Sequence, residues 1–166
     1  MDLYLLLVDD DPALLDAFSS MLAFNFPSIQ VTAVDSGVAA VAQVKKQDYD
    51  IVICDLMMPG MDGAMTLAEI RKDHPSLRMY LMTGHPEPQK AYKDTQATGF
   101  IKKPWDREQF FAFMRETIRV MSVGKKAMDR AIQANERLSS SMQRQAELAR
   151  FLEAKLPAPI PTKQVK

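Results

Sequence analysis

The sequence predicts an α/β fold: a doubly wound, five-stranded parallel sheet with a long C-terminal helix. Three observations predict it. Short apolar runs alternate with helical stretches five times within about 120 residues, the pattern of parallel strands joined by crossover helices. The first run, Leu3 to Val8, is continuous rather than alternating, as in a strand covered on both faces. After residue 121 the alternation stops and a seven-residue repeat replaces it.

The elements follow in order. Asp11 caps and Pro12 starts a helix whose apolar residues fall at Leu14, Leu15, Phe18, Met21 and Leu22. Ile29 to Val34 is a second strand, and Ser36 caps a helix with Val38, Val41 and Val44 on one stripe. Ile51 to Cys54 is a third strand, closed by Asp55 and a Pro59-Gly60 turn. A helix over Ala64 to Lys72 leads to a fourth strand, Arg78 to Met82. A polar helix is expected at Gln89 to Thr95, then a short strand at Gly99 to Ile101. Asp106 caps the last helix of the domain, which carries Phe110, Phe113, Met114 and Ile118. These phenylalanines and Trp105 read as core.

Composition narrows the class. The 166 residues suffice for one ordinary domain with some left over. Lys plus Arg and Asp plus Glu both number 21, so no global field draws the chain to nucleic acid or acidic membranes. Cys54 is the single cysteine, which excludes an internal disulfide and fits a reducing compartment. No apolar stretch approaches the roughly 18 residues needed to span a bilayer, and no signal peptide is legible. The expected location is cytoplasmic, with no membrane partner. The 12 methionines are read as adaptable packing.

In a parallel sheet of this kind, ligands bind beyond the carboxyl ends of the strands. Four strand ends deliver chemistry there: Asp9-Asp10-Asp11 after the first, Asp55 after the third, Thr83 after the fourth and Lys103 after the fifth. Clustered carboxylates repel one another, and a hard divalent cation relieves that repulsion. Mg²⁺ suits one or two carboxylates plus carbonyl, water and phosphate oxygens. Asp55 can then act as a nucleophile toward phosphorus, forming an acyl phosphate. Mg²⁺, the Lys103 ammonium and the Thr83 hydroxyl would hold the charge on the phosphoryl oxygens. Asp11 reads as only an N-cap, while His74, a helix-end residue, and His85, in a loop, have no metal-ligand company.

Val8-Asp9-Asp10-Asp11-Pro12, Asp55-Leu56-Met57-Met58-Pro59-Gly60-Met61-Asp62-Gly63, Met82-Thr83-Gly84 and Lys103-Pro104 together resemble the receiver domains of two-component response regulators. The resemblance covers residues 1 to about 121 and implies a flavodoxin-like sheet of strand order 2-1-3-4-5. It implies Asp55 as phosphoacceptor, Asp10 as a direct Mg²⁺ ligand, Asp9 as a ligand through water, and Met57 as a backbone-carbonyl ligand. Thr83 resembles the switch hydroxyl and Phe100 stands where the family places its switch aromatic, although an aromatic beside a strand is also ordinary core. Lys103 rather than Lys102 matches the motif lysine. The implied phosphoryl donor is a sensor histidine kinase or a phosphotransfer protein. The strongest enzyme alternative is similar to haloacid-dehalogenase phosphatases, with Asp9 and Asp11 acting beside Thr83 and Lys103; it leaves Asp55 unexplained and lacks a later acidic pair.

Three segments are expected: a receiver domain over 1–121, a helical coiled-coil-like segment over 122–156 and a Pro-rich flexible tail over 157–166. Met121, Met128, Asn135, Met142, Ala149 and Leu156 occupy one heptad position, a, and Gly124, Ala131, Leu138, Gln145 and Leu152 the other, d. The flanking positions hold Ala127, Ile132, Ala134, Ser139, Ala146 and Leu148, where a simple two-stranded zipper would carry charges. A homodimer through this helix is expected, a parallel pair being favoured because it brings Asn135 against its own copy, while the wide Ala-rich face also suits an antiparallel or four-helix packing. No nucleic-acid module is expected in the chain. The output is either dimerisation and partner binding, or a cyclase, phosphatase or kinase module in a longer regulator.

Overall fold

The computed structural model describes residues 2–155 apart from 92 and 94. The tail expected over 157–166, and Leu156, lie outside the described residues. The element order is β1 (Leu3–Val8), α1 (Pro12–Asn25), β2 (Ile29–Val34), α2 (Gly37–Val44), β3 (Ile51–Asp55) and α3 (Gly63–Asp73). It continues with β4 (Arg78–Thr83), α4 (Pro88–Ala91), β5 (Gly99–Lys102) and α5 (Arg107–Lys155). All strand pairs are parallel, in the order β2-β1-β3-β4-β5. The fold class and strand order are those expected.

Helices α1, α2, α3 and α5 start where a side chain can satisfy their first N–H groups. Asp11 Oδ1 accepts from the N–H of Ala13 and Leu14, Ser36 Oγ from Ala39, Asp62 Oδ1 from Met65, and Asp106 Oδ1 from Gln109. His74 is the C-cap of α3. The fourth helix differs from the expectation: it is described over Pro88–Ala91, and Thr95 lies in a bend. The segment has no apolar stripe to bury, and propensity alone does not sustain a short helix.

The pleat of the central strands sends alternate residues to opposite faces. Leu6, Val8, Val52, Cys54, Met79 and Leu81 form one core with Ala40 and Val44 of α2 and Leu67 and Ile70 of α3. On the α1 and α5 side, Phe18 stacks against Trp105 and Phe110 with ring centroids 4.9 and 5.0 Å apart. Tyr80 of β4 meets Phe113 edge-on at 4.8 Å. Burying aromatic rings of this size is a large part of what holds a domain together, about 1.5–3 kcal/mol for a fully buried Phe.

The chain divides into two compact units, Met1–Ile118 and Arg119–Lys166, so α5 belongs to the first through Ile118 and to the second from Arg119. Among the described residues, no helix is long and apolar enough to cross a membrane.

Candidate functional site

Asp55 is the last residue of β3, paired in register with Met82 of β4, and it is 6% exposed. Its Oδ1 accepts from Lys103 Nζ at 2.6 Å and its Oδ2 from the N–H of Met57 at 3.2 Å. The loop after it returns through Gly60, whose φ of 75° suits a residue without a Cβ. Gly63 N–H then donates to the Leu56 carbonyl at 3.0 Å. Gly63 is pressed against the acceptor: a Cβ there would stand 2.2 Å from the Asp55 carbonyl oxygen. The sequence marked Gly63 as part of a motif but not as a packing constraint on Asp55.

Asp9 follows β1 and is likewise buried. Its Oδ1 accepts from Asp11 N–H at 3.0 Å and its Oδ2 from Lys103 Nζ at 3.2 Å. Asp10 is exposed, yet one carboxylate oxygen from each of Asp9, Asp10 and Asp55 lies within 4.8 Å of the others. Asp11 is outside this cluster, its carboxylate serving the start of α1. That arrangement removes the Asp9–Asp11 partnership the phosphatase competitor required.

Lys103 reaches the cluster because its own N–H donates to the Thr83 carbonyl at 2.7 Å, tying the end of β5 to β4. The Lys103–Pro104 peptide is cis. Lys102 is exposed at the strand end, and it is Lys103 that meets both carboxylates. Thr83 ends β4, buried, with Oγ1 accepting from His85 N–H at 3.1 Å. Phe100 lies on β5 opposite Leu81 and packs, half-buried, against the core beneath α2 and α3. Met57 is 74% exposed at the mouth of the site.

The electrostatics are those of an acidic pocket with one cation inside. Burial pushes the Asp55 carboxyl above its usual range, Lys103 opposes that rise, and Asp9 adds to it. Burial pulls the Lys103 ammonium down, but its bonds and charge interactions with Asp55 and Asp9 outweigh this and hold it above the ordinary amine value. Lys103 is therefore charged, and even so it does not fully offset the desolvation of Asp55. Burial, with Asp55, Asp9 and Asp62 behind it, pushes the Cys54 thiol far up, so this cysteine is no nucleophile. Three carboxylates converging from hard oxygen donors, with a single ammonium among them, fit a small divalent cation.

A family model for the response regulator receiver domain matches residues 5–115. The transcriptional regulatory protein GlrR of Escherichia coli (strain K12) is 36% identical over 110 residues, a match covering 65% of this chain and 24% of that protein. The chain thus spans about a quarter of that relative's length. Among solved structures, adenylate cyclase from Rhodopirellula baltica superposes with a TM-score of 0.65 at 27% identity, covering 78% of this chain and 98% of that one. The receiver domain of sensor histidine kinase PA1611 from Pseudomonas aeruginosa PAO1, solved with a magnesium ion in its active-site cleft, gives a TM-score of 0.61. It is 24% identical, covers 72% of this chain and 97% of that one, and is similar in fold.

Proposed function

The chain belongs to the response regulator receiver family, and from that premise we propose that it is a phosphoacceptor switch of a two-component system, modified on Asp55. The observation that carries this is the 2.6 Å bond from Lys103 to Asp55 beside the converging oxygens of Asp9 and Asp10. A buried carboxylate whose ionised form is held by one ammonium is a poised nucleophile. The donor is a phosphohistidine of a sensor histidine kinase or phosphotransfer protein. An Asp55 oxygen attacks phosphorus as the P–N bond breaks, and the bonding pair leaves with the imidazole nitrogen.

Asp9, Asp10 and Asp55, with the Met57 carbonyl, are the residues that would hold Mg²⁺, which supplies positive charge against the phosphoryl oxygens when bound. Lys103 follows the charge as it spreads from carboxylate to phosphoryl group. The Thr83 oxygen already accepts from His85 N–H, which leaves its hydroxyl proton to reach a phosphoryl oxygen. Movement of Thr83 is then felt at β4 and, through its carbonyl bond to Lys103, at β5, where Phe100 sits. The chain is expected to catalyse only its own phosphorylation and dephosphorylation.

Output passes to the helix beyond Ile118, for self-association or for a downstream effector. A second reading, a receiver at the front of a longer regulator with a cyclase, phosphatase or kinase module, is favoured by the likeness to the Rhodopirellula baltica adenylate cyclase structure.

Acetyl phosphate with Mg²⁺ should add one phosphoryl group to the full chain, read by intact mass, and chelation should prevent it. Asp55→Asn should abolish the addition and Asp11→Asn should not. Persistence of the modification in Asp55→Asn would overturn the assignment.

A further inference from the structure

The edge of the sheet opposite Asp55 carries a second polar groove. The turn from α3 into β4 and the segment entering β5 border a cavity of about 510 Å³ there, a size ordinary for a small-molecule site. Arg78 opens β4 and Thr83 closes it, so about 17 Å of strand separates this groove from the phosphoacceptor edge.

The lining is one-sided in charge. Arg71 and Arg78 contribute to it, and among the described residues that line it there is no Asp or Glu. In a chain with 21 acidic and 21 basic residues, that excess is local. The two arginines differ in what they do. Arg71 is half-buried, and its guanidinium donates to the carbonyls of His74, Pro75, Leu77 and Gln96 at 2.8 to 3.3 Å. Those bonds lace the two bordering segments together, but neutral carbonyls carry no net charge to cancel its own. Arg78 is half-buried as well. The ion pairs among the described residues join Lys72 to Glu69 and Lys103 to Asp9 and Asp55, and none includes Arg78. A partly desolvated guanidinium without a counter-charge is unfavourable, and a bound anion relieves it.

The neutral groups narrow the anion. Ser76, Thr95 and Thr98 bring hydroxyls to the groove. Thr98 Oγ1 accepts from Met79 N–H at 3.0 Å, which leaves its own proton to donate. Guanidinium and hydroxyl donors together match a group that only accepts and that carries close to two charges on several oxygens. A phosphate monoester is such a group. The cavity is larger than a bare phosphate fills, and the Gln96 amide with the apolar wall of Leu77 and Ala97 suits a small organic body.

We propose that this groove binds a small phosphate monoester, with its phosphoryl oxygens on the Arg78 guanidinium and the Ser76 and Thr98 hydroxyls. Arg71 holds the two walls at the right separation and adds its charge. The proposal does not depend on Asp55 accepting phosphate, and the two can fail separately.

The test is titration of the isotope-labelled full chain with glycerol 3-phosphate and ribose 5-phosphate, followed by backbone amide resonances. Chelator is present throughout, so that no Mg²⁺ draws the esters to the carboxylate cluster. Amides within 76–79 and 95–98 should shift saturably, with a dissociation constant below about 1 mM. Asp55→Asn should bind equally well, which separates this groove from the phosphoacceptor site. Arg78→Gln should weaken binding at least about tenfold while accepting phosphate from acetyl phosphate like the parent. Ser76→Ala, an exposed change that leaves the fold intact, should weaken it by a smaller factor. Glycerol and ribose without phosphate should shift nothing. The absence of saturable shifts, or an Arg78→Gln chain that binds like the parent, would overturn the proposal. So would sulfate moving the same amides with the affinity of the esters, since the groove would then select only negative charge.

Discussion

The ammonium of Lys103 stands 2.6 Å from Oδ1 of Asp55 and 3.2 Å from Oδ2 of Asp9, bridging two strand ends with one charge. The bridge requires a compact cation on a flexible stem. An arginine at 103 would bring a planar fork into the same space and could not address both oxygens from one point. Lys103→Arg should therefore still fold but lose most of the effect of phosphorylation on the helix beyond Ile118. Comparing sedimentation with and without acetyl phosphate measures that loss. Undiminished coupling in the variant would count against Lys103.

Asp55 carries a stability cost with a definite pH signature. Its folded-state pKa is raised, chiefly by burial, so folding favours the protonated form. The favourable contribution is present below the ordinary carboxylate range and is lost as pH rises through the raised value. At neutral pH the ionised Asp55 then destabilises the metal-free protein. Asp55→Asn should raise Tm at pH 7 by a few degrees in the presence of chelator, and the gain should shrink toward about pH 4. A lower Tm in the variant at neutral pH would mean that the Lys103 bond outweighs the burial cost.

Gly63 is a second constraint on the acceptor. A methyl group there would meet the Asp55 carbonyl oxygen at 2.2 Å and Leu56 Cα at 2.9 Å, both backbone atoms that cannot swing aside. Gly63→Ala should cost roughly 1–3 kcal/mol, as other overpacked sites do, and should slow phosphorylation by displacing β3's last residue. Urea unfolding and the acetyl phosphate assay read the two effects. A variant as stable as the parent would show that the β3–α3 loop yields more easily than its geometry implies.

Much of this fold was legible because local signals and tertiary packing agree. The continuous apolar runs became β1, β3 and β4, and Asp11, Ser36 and Asp106 cap the helices they precede. The strand ends were read one residue short at Asp55, Thr83 and Lys102, since a polar residue closing an apolar run looks like loop. The extent of the fourth helix was not legible, because a polar segment carries no periodicity to read. The carboxylate cluster was legible from topology, which sends every strand's carboxyl end to one edge. Long-range backbone clamps were not: the Arg71 guanidinium donates to the carbonyls of His74, Pro75, Leu77 and Gln96, and no spacing announces such a contact.

Asp10 differs from Asp9 in being exposed and, among the described contacts, in not meeting Lys103. Its carboxylate nonetheless belongs to the three-oxygen cluster. Asp10→Asn should therefore weaken Mg²⁺ binding strongly while leaving the fold intact, because removing a direct carboxylate ligand costs affinity and an exposed side chain costs little stability. Titration followed by the fluorescence of Trp105, the single tryptophan, is the measurement. Unchanged affinity would remove Asp10 from the ligand set.

The lifetime of the phosphorylated state turns on Met57. Hydrolysis of an acyl phosphate needs a water in line with phosphorus, opposite the Asp55 oxygen. The backbone of Met57 is held beside that carboxylate by its N–H bond to Oδ2, and its side chain stands at the exposed mouth of the site. A thioether can neither orient nor activate a water; it can only exclude one. His85 is on the other flank, its backbone on Thr83 and its ring Nδ1 accepting from Glu87 N–H at 3.1 Å. That nitrogen is thereby engaged, and the other ring nitrogen can either place a water or crowd it. With Met57 unable to align water, the phosphoryl group should be long-lived, suiting a slow switch or one reset by a separate phosphatase. Met57→Asn and Met57→Glu each put a water-binding group at the mouth and should accelerate Mg²⁺-dependent loss of phosphate several-fold. Phosphate release after removal of the donor measures it, and an unchanged or slower rate in both variants would show that Met57 does not shield the phosphorus.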